Sequence, residues 1–229
     1  MDYSRYRIVS IMQGYVGAKQ GDAKHRGIID TYNKGIADLK KKGKLGKTSG
    51  YVVKYTDAWC AATVSAAAFT AGYTDIIPPE CSCTRMIELL KAKGEFEPDD
   101  NYIPSPGDII FFRWSINGRD PIESEDVDGI SNHVGIVESC DGKTITTIEG
   151  NKGDAHVCAR RTIKVGWKYI HGYGIPKYNA GAVYYVLKWG DTLSKVAKAY
   201  NTTVSALMIL NPDILDPNKV KAGQKVRVR

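Results

Sequence analysis

Cys60, His133 and Glu149 are the residues of this chain whose types and surroundings suit chemistry at an acyl carbon. Cys60 opens the run Cys60-Ala61-Ala62-Thr63-Val64-Ser65-Ala66-Ala67-Ala68-Phe69, whose small residues read as a buried helix. A thiol in the first turn of a helix lies beside unpaired N–H groups, and their partial positive charge favours the thiolate. Such a cysteine is a nucleophile if a histidine reaches it; alone, it reads first as an inert core thiol. His133 begins one apolar β stretch and Glu149 ends the next, with Cys140-Asp141-Gly142 between them. A three-residue turn closed by a glycine bulge pairs Ser139 with Lys143, which sets His133 opposite Glu149 on one face of a sheet. A two-residue turn would put them on opposite faces. In this arrangement Cys60 attacks a carbonyl, His133 takes and returns the proton, and Glu149 orients the ring. Asn151, two residues on, orients the ring instead or positions substrate. N–H groups at the helix start supply part of an oxyanion hole. His25, His156 and His171 lie on no comparable strand pair and read as surface or core histidines.

The elements that must hold these residues follow from periodicity. Tyr3 to Leu39 reads as helical with a break at Gly21-Asp22, and Ile28, Ile29, Tyr32 and Ile36 recur at helical spacing. Lys40 to Lys47 is a basic, glycine-punctuated connector. Pro78-Pro79 ends the Cys60 region, and a helix is expected from Arg85 to Lys93. Cys81 and Cys83 are too close for a usual zinc pair and read as structural thiols packing near the Cys60 helix. Pro104 to Asp108 turns into the continuous apolar strand Ile109 to Phe112. Ser115 to Asn132 reads as an acidic surface loop, since Asp126 to Gly129 matches only half of a calcium loop. Strands follow at His133–Ser139, Lys143–Glu149, Arg160–Val165 and Tyr169–Ile175. After a linker at Lys177–Ala182 the pattern restarts as β-α-α-β: strand Tyr184–Leu187, a helix capped by Asp191, a second capped by Thr203 and stopped at Asn211-Pro212, and a strand with Val226 and Val228.

Composition bounds the rest. The 229 residues suit one medium domain and one small one, with 43% hydrophobic and 25% charged residues. The first ten residues hold no apolar signal core, and no run reaches a membrane span. Five cysteines, an odd number, do not imply a disulfide framework. Of the net charge of +7, the segment Val183 to Arg229 carries +5, from eight Lys/Arg against three Asp. That small basic piece calls for an anionic partner.

Four stretches in order, DAWCAA (Asp57–Ala62), PSPGDIIFF (Pro104–Phe112), HVGIVES (His133–Ser139) and TIEGN (Thr147–Asn151), resemble the motifs of CHAP domains. These are papain-like cysteine amidohydrolases and peptidases that cut bacterial peptidoglycan. The likeness runs from about Tyr51 to Pro176, and the preceding helices resemble the lead-in of phage-type members. It implies Cys60 as nucleophile, His133 as base, Glu149 as third member and Asn151 as a further active-site position. Calcium-binding CHAP domains carry acidic residues just before the nucleophile, whereas Thr48 to Trp59 holds only Asp57. Tyr184–Asn201, Ala206–Ile214 and Ala222–Val228 resemble LysM, a module that binds N-acetylglucosamine glycans between two loops. Those loops map here to Gly190, Asp191, Thr192 and Leu193, and to Asn211, Asp213 and Ile214.

The resemblance implies an α+β chain: a papain-like CHAP domain over 1–176, the linker, and a βααβ LysM module over 183–229. The implied function is that of a phage or prophage endolysin, a cysteine amidase or endopeptidase tethered to peptidoglycan. No cofactor, metal, nucleic acid or membrane span is expected, and the chain is read as a monomer. It would be made in the cytoplasm without a signal peptide and reach the wall at lysis. The alternatives are a non-catalytic peptidoglycan binder, a host wall-remodelling enzyme, and a basic nucleic-acid-binding protein, which lacks an Arg-dense recognition helix.

Overall fold

A computed structural model describes residues 3–113, 131–178, 184–200 and 202–228. The acidic loop falls mostly at 114–130 and most of the linker at 179–183, outside the described residues. Four helices lead the chain: α1 (Arg5–Tyr15), α2 (Ala23–Lys41), α3 (Cys60–Ala71) and α4 (Cys83–Ala92). Strands follow: β1 (Phe96–Glu97), β2 (Ile109–Phe112), β3 (His133–Cys140), β4 (Thr144–Lys152), β5 (Val157–Lys164) and β6 (Ile170–Gly174). They form one antiparallel sheet in the order β1-β6-β2-β3-β4-β5. The small module adds β7 (Tyr184–Val186), α5 (Leu193–Ala199), α6 (Val204–Leu210) and β8 (Lys225–Arg227), with β7 and β8 paired antiparallel. The fold is thus α+β, helices against an antiparallel sheet followed by βααβ.

α3 is the centre of the core. Ten of its twelve residues are buried, and alanine makes the burial possible by letting neighbouring elements approach closely. The helix stops at Gly72, whose φ of +76° suits glycine. On one side it packs α2 through Ile28, Ile29, Tyr32 and Ile36; on the other it meets Ile109, Phe111, Val134, Ile136 and Ile148 of the sheet. A Cβ on Gly150 would collide with the Thr63 side chain, so α3 sits against β4 only because Gly150 has none. The other sheet face buries a second cluster with Ile110, Phe112, Val137, Ile145 and Tyr173.

Three local expectations need correction. α4 begins at Cys83, two residues earlier than the apolar periodicity indicates, because Ser82 caps it by accepting from the Arg85 N–H. The helix α5 is capped by Thr192, whose hydroxyl accepts from Lys195 N–H at 3.2 Å. Asp191 instead accepts from Lys188 N–H and Tyr185 O–H. Tyr178, read as linker, is buried: its hydroxyl donates to Gly107 C=O at 2.6 Å and Arg5 lies over its ring.

The β3–β4 register also differs. Cys140 pairs with Ile145 and Ser139 with Thr146, so the loop is longer than three residues and Asp141 closes it by accepting from Lys143 and Thr144 N–H. Beyond a bulge between Val137 and Ser139, Val137 pairs with Thr147 and Ile136 with Ile148. The turn's own register would have sent His133 and Glu149 to opposite faces; the one extra residue at Glu138 returns them to the same face. Glu149 then lies across from Gly135, diagonal to His133.

Candidate active site

The site assembles at the N-terminus of α3 and the start of β3. Cys60 is the first helical residue, 5% exposed, and its thiol is hydrogen-bonded to His133, the first residue of β3. The other side of the ring is fixed, since His133 Nε2 stands 2.9 Å from Glu149 Oε2. Nδ1 is therefore the nitrogen left for the thiol. Gly135 makes the diagonal reach possible: a Cβ there would lie 2.7 Å from Glu149 Cγ.

Glu149 is fully buried and held on several sides. Arg161 Nε donates to Oε1 and Oε2 at 2.9 and 3.0 Å, and the Thr147 hydroxyl donates to Oε1 at 2.5 Å. Neither partner was singled out from sequence. The strand pairing that sets Thr147 opposite Arg161 is the signal that would have found them.

The surroundings favour a thiolate–imidazolium pair. Cys60 is held well below the usual thiol range, first by a hydrogen bond from the Cys83 thiol, against burial, then by His133 and the Ala61 N–H. Burial pulls the His133 ring down, but hydrogen bonds and charge from Cys60 and Glu149 outweigh it and carry the ring up to about 9. Burial likewise works against ionised Glu149, yet the hydrogen bond and charge of His133, then Arg161 and Thr147, keep it below the usual carboxylate range.

Asn151 is not part of this cluster. It sits at φ +55°, and its Oδ1 pairs with His156 Nδ1 at 2.8 Å. The β4–β5 pairing is irregular between Glu149 and Lys152, and Asn151 falls in that irregular stretch, which takes its side chain to His156. His25 is a core histidine, as expected, packed edge-on against Trp59 at 4.7 Å between centroids. His171 is buried beside Phe96.

Cys83 also belongs here. Its Sγ is 3.7 Å from Cys60 Sγ, and its own pKa is pushed well up, first by donating to Cys60, then by burial. Glu80 anchors this corner by accepting from Ser49 N–H and O–H, Cys81 N–H and Arg85. Among the described residues no three His, Cys, Asp or Glu side chains could together hold a metal ion.

Residues 50–151 match the CHAP domain family and residues 185–229 the LysM domain family. The chain carries a CHAP domain and a LysM domain. Over 44 residues it is 52% identical to an endolysin of Bacillus phage PZA and 48% identical to one of Bacillus phage B103. Those matches cover 19% of this chain, and the chain spans only 17% of the length of either relative. No solved structure matches it significantly. Cys60, His133 and Glu149 all fall inside the CHAP match.

In the LysM domain the seven candidate residues divide by burial. Leu193 and Ile214 are core side chains. Asn211 is buried and structural: its amide donates to Leu207 and Arg227 C=O at 2.7 and 2.9 Å and accepts from Arg227 N–H at 2.7 Å. Gly190, Thr192 and Asp213 are exposed and Asp191 half-buried. The buried members can offer a ligand backbone groups rather than side chains.

Proposed function

We propose that the chain is a peptidoglycan hydrolase of endolysin type, with Cys60 as nucleophile, His133 as general acid–base and Glu149 as the group that positions the ring. The observation that carries this reading is the continuous hydrogen-bonded line Cys60–His133–Glu149 at the N-terminus of a buried helix. The thiolate attacks an amide carbonyl of the wall peptide, and the oxyanion is met by first-turn N–H groups of α3. The imidazolium gives its proton to the leaving amine, which departs and leaves a thioester on Cys60. His133 then takes a proton from water, and the resulting attack frees the acid and the thiolate. Glu149, pinned by Arg161 and Thr147, holds the ring and stabilises its positive charge. The LysM domain binds N-acetylglucosamine glycan through the loops 190–193 and 211–214, so cleavable bonds stay at high local concentration.

The test is clearing of purified cell walls. Cys60→Ala and His133→Ala should each lower the rate on the order of 10³-fold or more while wall binding is retained. Full clearing by His133→Ala would end this mechanism. Mass spectrometry of the released muropeptides distinguishes an amidase, which frees the peptide from the sugar, from an endopeptidase, which cuts within the peptide.

A further inference from the structure

We propose that Cys60 and Cys83 are a reversible modification site, a dithiol that an oxidant closes to a disulfide and that thereby silences and protects the nucleophile. The proposal rests on Cys60 being the reactive thiolate described above. Each cysteine is the first residue of its helix, Cys60 of α3 and Cys83 of α4. Their sulfurs lie 3.7 Å apart, and both side chains are buried, 5% and 7% exposed. A disulfide sets sulfurs about 2.05 Å apart, so this contact is short of a bond by less than the reach of a side-chain rotation.

The neighbouring thiols are otherwise engaged. Cys81 Sγ is directed at Glu80 Oε1, 3.6 Å away, and its N–H is bound to the same oxygen. Cys158 is buried on β5, and Cys140 accepts from Gly142 N–H at the β3–β4 turn. Cys83 is the partner the fold presents to Cys60.

The chemistry closes with a peroxide. The Cys60 thiolate attacks one peroxide oxygen, the O–O bond breaks, and hydroxide leaves; sulfur is oxidised to the sulfenic acid and the peroxide is reduced. Cys83 sulfur then attacks Cys60 sulfur. The S–O bond breaks, the S–S bond forms, and the departing hydroxide takes the Cys83 proton as water. A dithiol reductant reverses this by exchange through a mixed disulfide. Without Cys83 the sulfenic acid stays open to a second peroxide and proceeds to the sulfinic acid, which a dithiol does not restore.

The experiment treats the full-length chain with hydrogen peroxide and reads intact mass, peptide map and wall clearing before and after dithiothreitol. The expected product has lost two hydrogens. Chymotryptic cleavage after Phe69 and Tyr73 should leave the Cys60 peptide joined to the one bearing Cys81 and Cys83, and the same link should form in Cys81→Ser. Dithiothreitol should restore mass and clearing together. In Cys83→Ala and in Cys83→Ser, the Cys60 peptide should instead gain two oxygens, with no recovery. A linkage to Cys81, no linkage at all, or equal recovery in the Cys83 variants would overturn the proposal. Because mass is read independently of clearing, a chain that links these cysteines yet never clears walls would fail the hydrolase reading and leave the pair standing.

Discussion

At the scale of residues, the His133–Glu149 hydrogen bond sets the pH range in which the proposed chemistry runs. The working state has Cys60 deprotonated and His133 protonated. Cys60 is depressed well below the usual thiol range and His133 is raised to about 9, so the state is lost on the basic side as pH rises through about 9. The rate of wall clearing should therefore hold across neutral pH and fall as pH rises through about 9, where the ring loses the proton meant for the leaving amine. Removing the Glu149 charge removes part of what raises the ring. Glu149→Gln should lower the rate by about 10²- to 10⁴-fold and move the basic limb to lower pH; a limb that stays in place would deny Glu149 that role. The linkage has the same sign for stability. His133 has a folded value above its ordinary 6.5, so its contribution is complete below that value and is lost as pH rises through about 9. Cys60, His133 and Glu149 were legible because each had a place in a motif or a strand. The part played by Arg161 and Thr147 was not, because it depends on cross-strand neighbours, and Cys83, expected near the Cys60 helix, was read as structural because its contact with the Cys60 sulfur depends on how two helix starts meet.

At the scale of elements, two small features align the site: the bulge at Glu138 and the missing side chain at Gly150. The sequence supported a hairpin between His133 and Glu149 and the expectation that they share a face. It did not locate the device that puts them there. The glycine was placed at the turn's close, whereas the parity is restored by Glu138, buried and held by Gln13 Nε2 at 2.8 Å and by Arg160 Nε and an Arg160 NH2 group at 2.6 and 2.8 Å. Those partners come from α1 and β5, so the bulge is fixed by tertiary contacts invisible to hairpin rules. Gly150 gives the sharper test. A methyl group there drives Thr63 away from β4 and tilts the first turn of α3, which carries Cys60. Gly150→Ala should cost about 1–3 kcal/mol of stability, read by thermal unfolding, and should depress wall clearing beyond that loss. Thr63→Ala in the same chain removes Oγ1, the atom in closest collision, and Cγ2, leaving the Thr63 Cβ position 2.8 Å away, and should recover part of both. No recovery in the double variant would mean that the close helix–strand approach is not what Gly150 provides. In the LysM domain Asn211 ties the end of α6 to β8, and Asn211→Ala strands Arg227 N–H and two carbonyls. The expected loss is about 1–3 kcal/mol, seen as early melting of that domain, with wall binding regained on cooling below its transition.

At the scale of the whole molecule, the basic LysM domain is seated on α1. Tyr6 of α1 packs against the cluster containing Leu207, Leu210 and Val226, and the Ser10 hydroxyl lies 3.4 Å from the Thr203 hydroxyl. Periodicity and composition showed two units and a charge imbalance, but not this seat, since Ser10 lies 193 residues from Thr203 and Tyr6 lies farther still from its partners in sequence. Among the described residues no helix is long and apolar enough to cross a membrane. Ending the chain after Tyr178 keeps the Cys60–His133–Glu149 line and the Tyr178 anchor, and it removes the loops proposed to bind glycan with most of the net charge. Pull-down on purified walls should fall at least about tenfold, as expected when a tether is lost. Hydrolysis of soluble muropeptides should survive, because the described partners of Cys60 and Glu149, namely Cys83, His133, Thr147 and Arg161, all remain in the shortened chain. The full chain should also release from walls as salt rises past about 0.15 M, where exposed charges are screened beyond roughly 8 Å. The truncated form, with little net charge left, should show a flatter salt response. Equal pull-down by the two forms at every salt concentration would place wall recognition in the catalytic domain and leave the basic domain without the role argued for it.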